Sequence, residues 1–162
     1  MKRLMIAAAI AATFVASPLA AQAPPPPPPY GPPITFDAAK KAIAAAEAEA
    51  KKNNWPVAIA IVDSGGQLVA FSKIDNTQHA SIDIAIGKAT TANNFKRPTK
   101  ALQDGIAQGG ANLRILAVKG VTPLEGGVPI VVDGKIIGGI GVSGVMANQD
   151  AEVAMAGAAA AK

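Results

Sequence analysis

The chain of 162 residues contains no cysteine. That excludes disulfides, thiol chemistry and any Cys-based metal site. Histidine occurs once, as His79, and aromatic residues number four Phe, one Tyr and one Trp. No basic stripe carries interleaved aromatics, so nucleic-acid binding is not expected. No apolar run is long enough to span a bilayer. GxSxG, HExxH and Walker sequences are all missing, which removes the best-marked hydrolase, zinc-protease and nucleotide-triphosphate signatures.

The first residues form a recognisable leader. Met1-Lys2-Arg3 is followed by an apolar run from Leu4 to about Val15 and then by small residues to Ala23. A basic start, a short apolar centre and a small-residue end read as a secretory signal peptide, 1–21, with cleavage after Ala21. Export implies a periplasmic or secreted protein, and the lack of disulfides suits a bacterial periplasm. Once Lys2 and Arg3 are removed, thirteen basic and eleven acidic residues remain, so the net charge of +4 falls to +2. Residues 22–33, with Pro24–Pro29, Pro32 and Pro33, read as a polyproline tether that is extended and outside the core. Residues 34–162 are then long enough for one domain with one core.

Within that domain, Thr35 caps a helix that runs through the Ala-, Glu- and Lys-rich stretch to Lys52. Phe36, Ala39, Ile43 and Ala46 share its apolar face. Val57–Val62 reads as a strand buried on both sides. Asp63-Ser64-Gly65-Gly66 turns it into a second strand, Gln67–Ile74. Ser81–Phe95 reads as a helix, broken by Lys96-Arg97-Pro98-Thr99. A short helix follows to about Ala107, closed by Gly109-Gly110. Leu113–Val118 reads as a short strand or extended segment. Val128–Val132 and Lys135–Val142 form a hairpin about Asp133-Gly134, a pair suited to a type I′ turn. An Ala-rich helix from Asn148 or Gln149 ends the chain.

Glycines 138, 139 and 141 in the second arm of that hairpin mark a close approach by a backbone, a helix or a flat ligand. Gly139-x-Gly141-x-x-Gly144 matches the dinucleotide fingerprint only formally. That fingerprint opens a parallel βαβ unit, whereas this one sits in a hairpin near the chain end. The element order implies an α+β domain with helices covering both faces of a five-stranded antiparallel sheet.

Two separated motifs give the chain a family resemblance. One is Ala80-Ser81-Ile82-Asp83-Ile84-Ala85-Ile86-Gly87-Lys88-Ala89 with Thr91, Phe95 and Arg97-Pro98-Thr99. The other is Glu125-Gly126-Gly127-Val128-Pro129-Ile130 with Ile137–Gly144 and Gln149-Asp150. The chain resembles the GlcG/HbpS family over about 34–162. The resemblance implies a three-layer α/β/α profilin-like fold, homo-oligomers that are often octamers, and haem binding in several members.

The candidate chemistry follows from that resemblance and from side-chain type. Haem iron takes His, Met, Tyr or Cys axially, which makes His79 the candidate metal ligand, ahead of Met146 and Tyr30. Propionates take basic groups, which points to Lys88 and Arg97, with Lys96 and Lys100 nearby. Gly126, Gly127, Gly139 and Gly141 complete the expected binding surface, a pocket between the helix near His79 and the glycine hairpin. Asp75, Asp83 and Glu125 are the acids near the motifs, with Asp83 expected to be partly buried; no base or nucleophile is paired with them, and Ser143 has no nucleophile setting. The leading expectation is an exported haem- or tetrapyrrole-binding protein, with iron as an associated cofactor. A periplasmic enzyme acting on a small carboxylate or aromatic compound, and a sensor or accessory module that binds a protein partner, stand as the other two readings.

Overall fold

Residues 25–162 are described by the structure, a computed structural model. The expected signal peptide lies outside the described residues. Among these residues no helix is long and apolar enough to cross a membrane.

Helix α1 spans Phe36–Lys52. Thr35 starts it as read from the sequence: its Oγ1 accepts the Ala38 N–H at 3.2 Å. The stripe it buries is Ala39, Ala42, Ala46 and Ala50, while Phe36 is left 59% exposed and Ile43 half-buried. The buried face is therefore rotated toward the smallest side chains. The reason is the partner helix α4, Ala147–Ala160, which packs directly on α1. A Cβ on Gly157 of α4 would lie 2.9 Å from the Ala42 carbonyl oxygen.

Strands β1 (Ala58–Asp63) and β2 (Leu68–Lys73) form the first antiparallel hairpin, and β3 (Gly127–Val132) and β4 (Lys135–Ser143) the second. The second turns at Asp133 and Gly134, whose φ values of 49° and 72° are those a type I′ turn needs. The hairpins join through antiparallel β1–β4 pairing, giving the order β2-β1-β4-β3. Among the described residues the sheet thus has four strands, not five. The segment expected to be extended, Leu113–Val118, instead falls largely in a 3₁₀ segment, Gly110–Ala117, bounded by the left-handed Gly109, Gly110 and Gly120. A short apolar run carries no period that separates strand from helix, and this one pairs with no strand.

Helix α2 (Ser81–Phe95) covers one sheet face and the α1–α4 pair covers the other. Period-two alternation assigns the side chains. Ile59, Ile61, Ile140 and Val142 pack toward α1 and α4. Ala58, Ala60 and Val62 pack against Ala85 and Ala89 of α2. The short helix α3, Lys100–Gln108, follows α2.

The end of the proline-rich stretch is part of the sheet, contrary to its reading as a free tether. The Gly31 N–H donates to the Ile136 carbonyl at 2.8 Å, the Ile136 N–H to Pro29 at 2.9 Å, and the Ile34 N–H to Ile137 at 2.8 Å. These bonds satisfy the stretch of β4 that β1 is too short to reach. The Tyr30 hydroxyl donates to the Asn93 carbonyl at 2.9 Å, and the Lys96 ammonium lies 4.2 Å from its ring centre.

Candidate functional site

The two sequence motifs meet where α2 crosses β4. Lys88 lies at their junction, only 2% exposed. Its ammonium donates to Asp150 Oδ2 at 2.8 Å and to the Val142 carbonyl at 2.8 Å. Asp150 also accepts the Val145 N–H through Oδ1 at 3.2 Å. Burial pushes the Asp150 carboxyl above its ordinary range, against the pull of Lys88 and the backbone donors. Lys88 is therefore spent inside the fold and is not a propionate ligand.

The glycines around it are spacers. At Gly126, with φ 121°, a Cβ would stand 2.8 Å from Lys88 Nζ; at Gly127 it would strike the Lys88 carbonyl. Gly127 is further tied to the start of α3, its N–H donating to Thr99 Oγ1 at 2.9 Å. On β4, a Cβ at Gly139 would meet the Ala89 carbonyl, and one at Gly141 would collide with the backbone of Ala85 and Ala89. The close approach read from these glycines is that of α2, not of a flat ligand. The pocket expected between α2 and the glycine hairpin is filled by helix backbone.

His79 is exposed in the turn just before α2, and Arg97 is exposed just after it. The helix between them is 15 residues, about 22 Å by helical rise, so the two do not converge on one small site within the chain. Asp75 and Asp83 are exposed, which corrects the expected burial of Asp83, and Glu125 is half-buried. Met146 is 69% exposed at the start of α4. Ser143 is buried, its hydroxyl 3.2 Å from that of Ser81. No cluster of three or more His, Asp or Glu side chains suited to a metal ion occurs among the described residues.

A different place has the shape of a binding site. The C-terminal end of α2, helix α3 and the 3₁₀ segment line a half-open cavity of about 540 Å³. Phe95, Leu102, Ile115 and Val118 supply apolar wall, and Arg97 and Arg114 supply two guanidinium groups. Of these residues Phe95 and Arg97 belong to the first sequence motif, and only Arg97 is a candidate site residue from sequence. Arg114 lies in a stretch read as a short strand or extended segment, where nothing local ties it to Arg97.

The comparisons with known proteins fit this architecture. The model of a family described as "Haem degrading protein HbpS-like" matches residues 34–159. The chain belongs to the HbpS-like family. It is 46% identical over 101 residues to protein GlcG of Escherichia coli K12, an alignment covering 62% of this chain and 74% of GlcG. The crystal structure of HbpS matches with a TM-score of 0.73 at 34% identity, over 80% of this chain and 90% of that one. A structure described as a PduOC–haem complex matches with a TM-score of 0.72 at 30% identity, over 79% of this chain and 94% of that one.

Proposed function

We propose that this HbpS-like chain is an exported haem-binding protein that works as a homo-oligomer. The observation that carries the reading is its likeness to the PduOC chain crystallised with haem, which the fold matches over 94% of that chain's length. The leader pattern in residues 1–21 supports export. The sheet covered by helices on both faces supports reading the fold as the profilin-like one that the resemblance implies.

The residues present fit the organic part of haem. The cavity beside α3 offers apolar wall for a porphyrin plane and guanidinium groups for propionates. An axial iron ligand is a separate requirement, and His79 is the side chain of the right chemistry, exposed at the other end of α2. Haem bound here would supply a redox-active iron held in a hydrophobic macrocycle.

Haemin titration of the mature protein, followed by absorbance, tests the reading. Saturable binding with a shifted Soret band is expected. A titration indistinguishable from haemin in buffer would overturn it.

A further inference from the structure

A separate hollow lies at the C-terminal end of α1 and shares no residue with the cavity beside α3. It measures about 310 Å³ and opens to solvent between α1 and the loop that leaves β2. Trp55, Pro56 and Ile74 form its apolar wall, and Lys51, Asn54, Asp75 and Asn76 supply its polar groups. The wall is fixed from behind. The Trp55 N–H donates to the Ala50 carbonyl at 2.9 Å, the Ile74 N–H to the Val57 carbonyl at 3.0 Å, and the Thr77 hydroxyl to the Ile74 carbonyl at 2.7 Å. Trp55 and Ile74 also pack on the buried core. A smaller hollow of about 230 Å³ continues it past Lys51, Ile74 and Asp75 to Glu47 and Lys73.

Most of the polar groups of the larger hollow are uncommitted. Among the described residues, the side-chain hydrogen bonds at this corner join Lys51 and Ser72 to Glu47, Lys52 and Asn53 to Glu49, and Thr77 to the Ile74 carbonyl. They leave out the amides of Asn54 and Asn76, the Asp75 carboxylate and the Trp55 indole N–H. Asn54 and Asn76 both hold left-handed backbone, with φ 57° and 65°. Asparagine enters that region with a short side chain that can hydrogen-bond locally. Neither does so here, and both amides are left to the hollow.

The lining is balanced in charge: Lys51 and Asp75 in the larger hollow, with Lys73 and Glu47 added in the smaller. Neither an anion nor a cation gains from such a field. A wholly apolar ligand would cover the amides and the carboxylate without replacing their water, which costs free energy. A ring with an apolar face and hydroxyls around its edge meets both demands. Its C–H face packs on the indole. Its hydroxyls both donate and accept, as carboxamides do, and Asp75 accepts. We propose that this hollow is a saccharide-binding site that takes a neutral sugar ring against Trp55, with Asn54, Asp75 and Asn76 holding its hydroxyls. The site is independent of the haem-binding reading and stands without it.

Trp55 is the one tryptophan of the chain, so the intrinsic fluorescence of the mature protein reads this hollow directly. Glucose, galactose, mannose and N-acetylglucosamine are titrated to about 10 mM, which nearly saturates a site of ~1 mM affinity. Choline, leucine and benzoate serve as the cationic, zwitterionic and anionic counterparts. At least one neutral sugar is expected to change the emission saturably, and the three charged probes are expected to leave it unchanged. Asn76→Gly removes the amide and suits the left-handed backbone, and should weaken that sugar about fivefold. Asp75→Ala should weaken it about tenfold, the difference between a neutral and a charge-assisted hydrogen bond. Both residues are exposed, so the variants keep the fold, which circular dichroism checks. No saturable change with any of the four sugars would overturn the proposal. So would a saturable response to a charged probe in place of the sugars, or wild-type sugar affinity in both variants.

Discussion

Asp150 and Lys88 bury opposite charges 2.8 Å apart, with side chains 4% and 3% exposed. A buried pair adds little over an apolar pair, but removing one partner strands the other charge. Asp150→Asn is therefore expected to lose about 3–5 kcal/mol of stability, read as a lower urea midpoint. A loss under about 1 kcal/mol would show that the Val142 carbonyl alone suffices for Lys88. The same carboxyl titrates against the usual acid-denaturation trend. Its folded pKa is raised by burial, so the native state binds that proton more readily than the unfolded chain, and this residue favours folding as the pH falls through its folded value. Gly141 makes the second residue-scale test. A methyl group there meets backbone of Ala85 and Ala89, which cannot rotate away as a side chain would. Gly141→Ala is expected to cost about 1–3 kcal/mol through displacement of α2, measured by thermal or urea unfolding. An unchanged midpoint would place α2 farther from β4 than the structure does.

Among the elements, α2 and α3 form a pair of opposites. Helix α2 buries Ser81, Ala85, Lys88, Ala89, Thr91, Ala92 and Asn93; α3 buries none. Local opening is easiest where few apolar contacts hold an element down. Backbone amides of Lys100–Ala117 are accordingly expected to exchange with deuterium faster than those of Ser81–Phe95. Equal protection in the free protein would contradict the loose packing. The boundaries of these helices were legible because their signals are local: Pro98-Thr99 separates them and Gly109-Gly110 ends the second. The state of Leu113–Val118 was not legible. A strand requires a partner, and neither open edge of the β2-β1-β4-β3 sheet receives this segment.

On the scale of the whole molecule, the sequence by itself determined the hairpin at Asp133-Gly134, the cap at Thr35, the alternation of helices with paired strands and the two motifs that carry the family. Each depends on backbone preference or side-chain period within a few residues, so neighbours along the chain suffice to express it. Only the tertiary structure decided that Lys88 is an internal charge, that Gly139 and Gly141 make room for a helix, that Tyr30 fastens the proline-rich stretch to α2, and that Arg114 shares a cavity with Arg97. Those outcomes depend on partners distant in sequence: Asp150 is 62 residues from Lys88, and Asn93 is 63 from Tyr30. A lysine on a helix reads as a wet surface charge until the chain has closed around it. What sits opposite each side chain is set by packing of the layers, which no local pattern encodes.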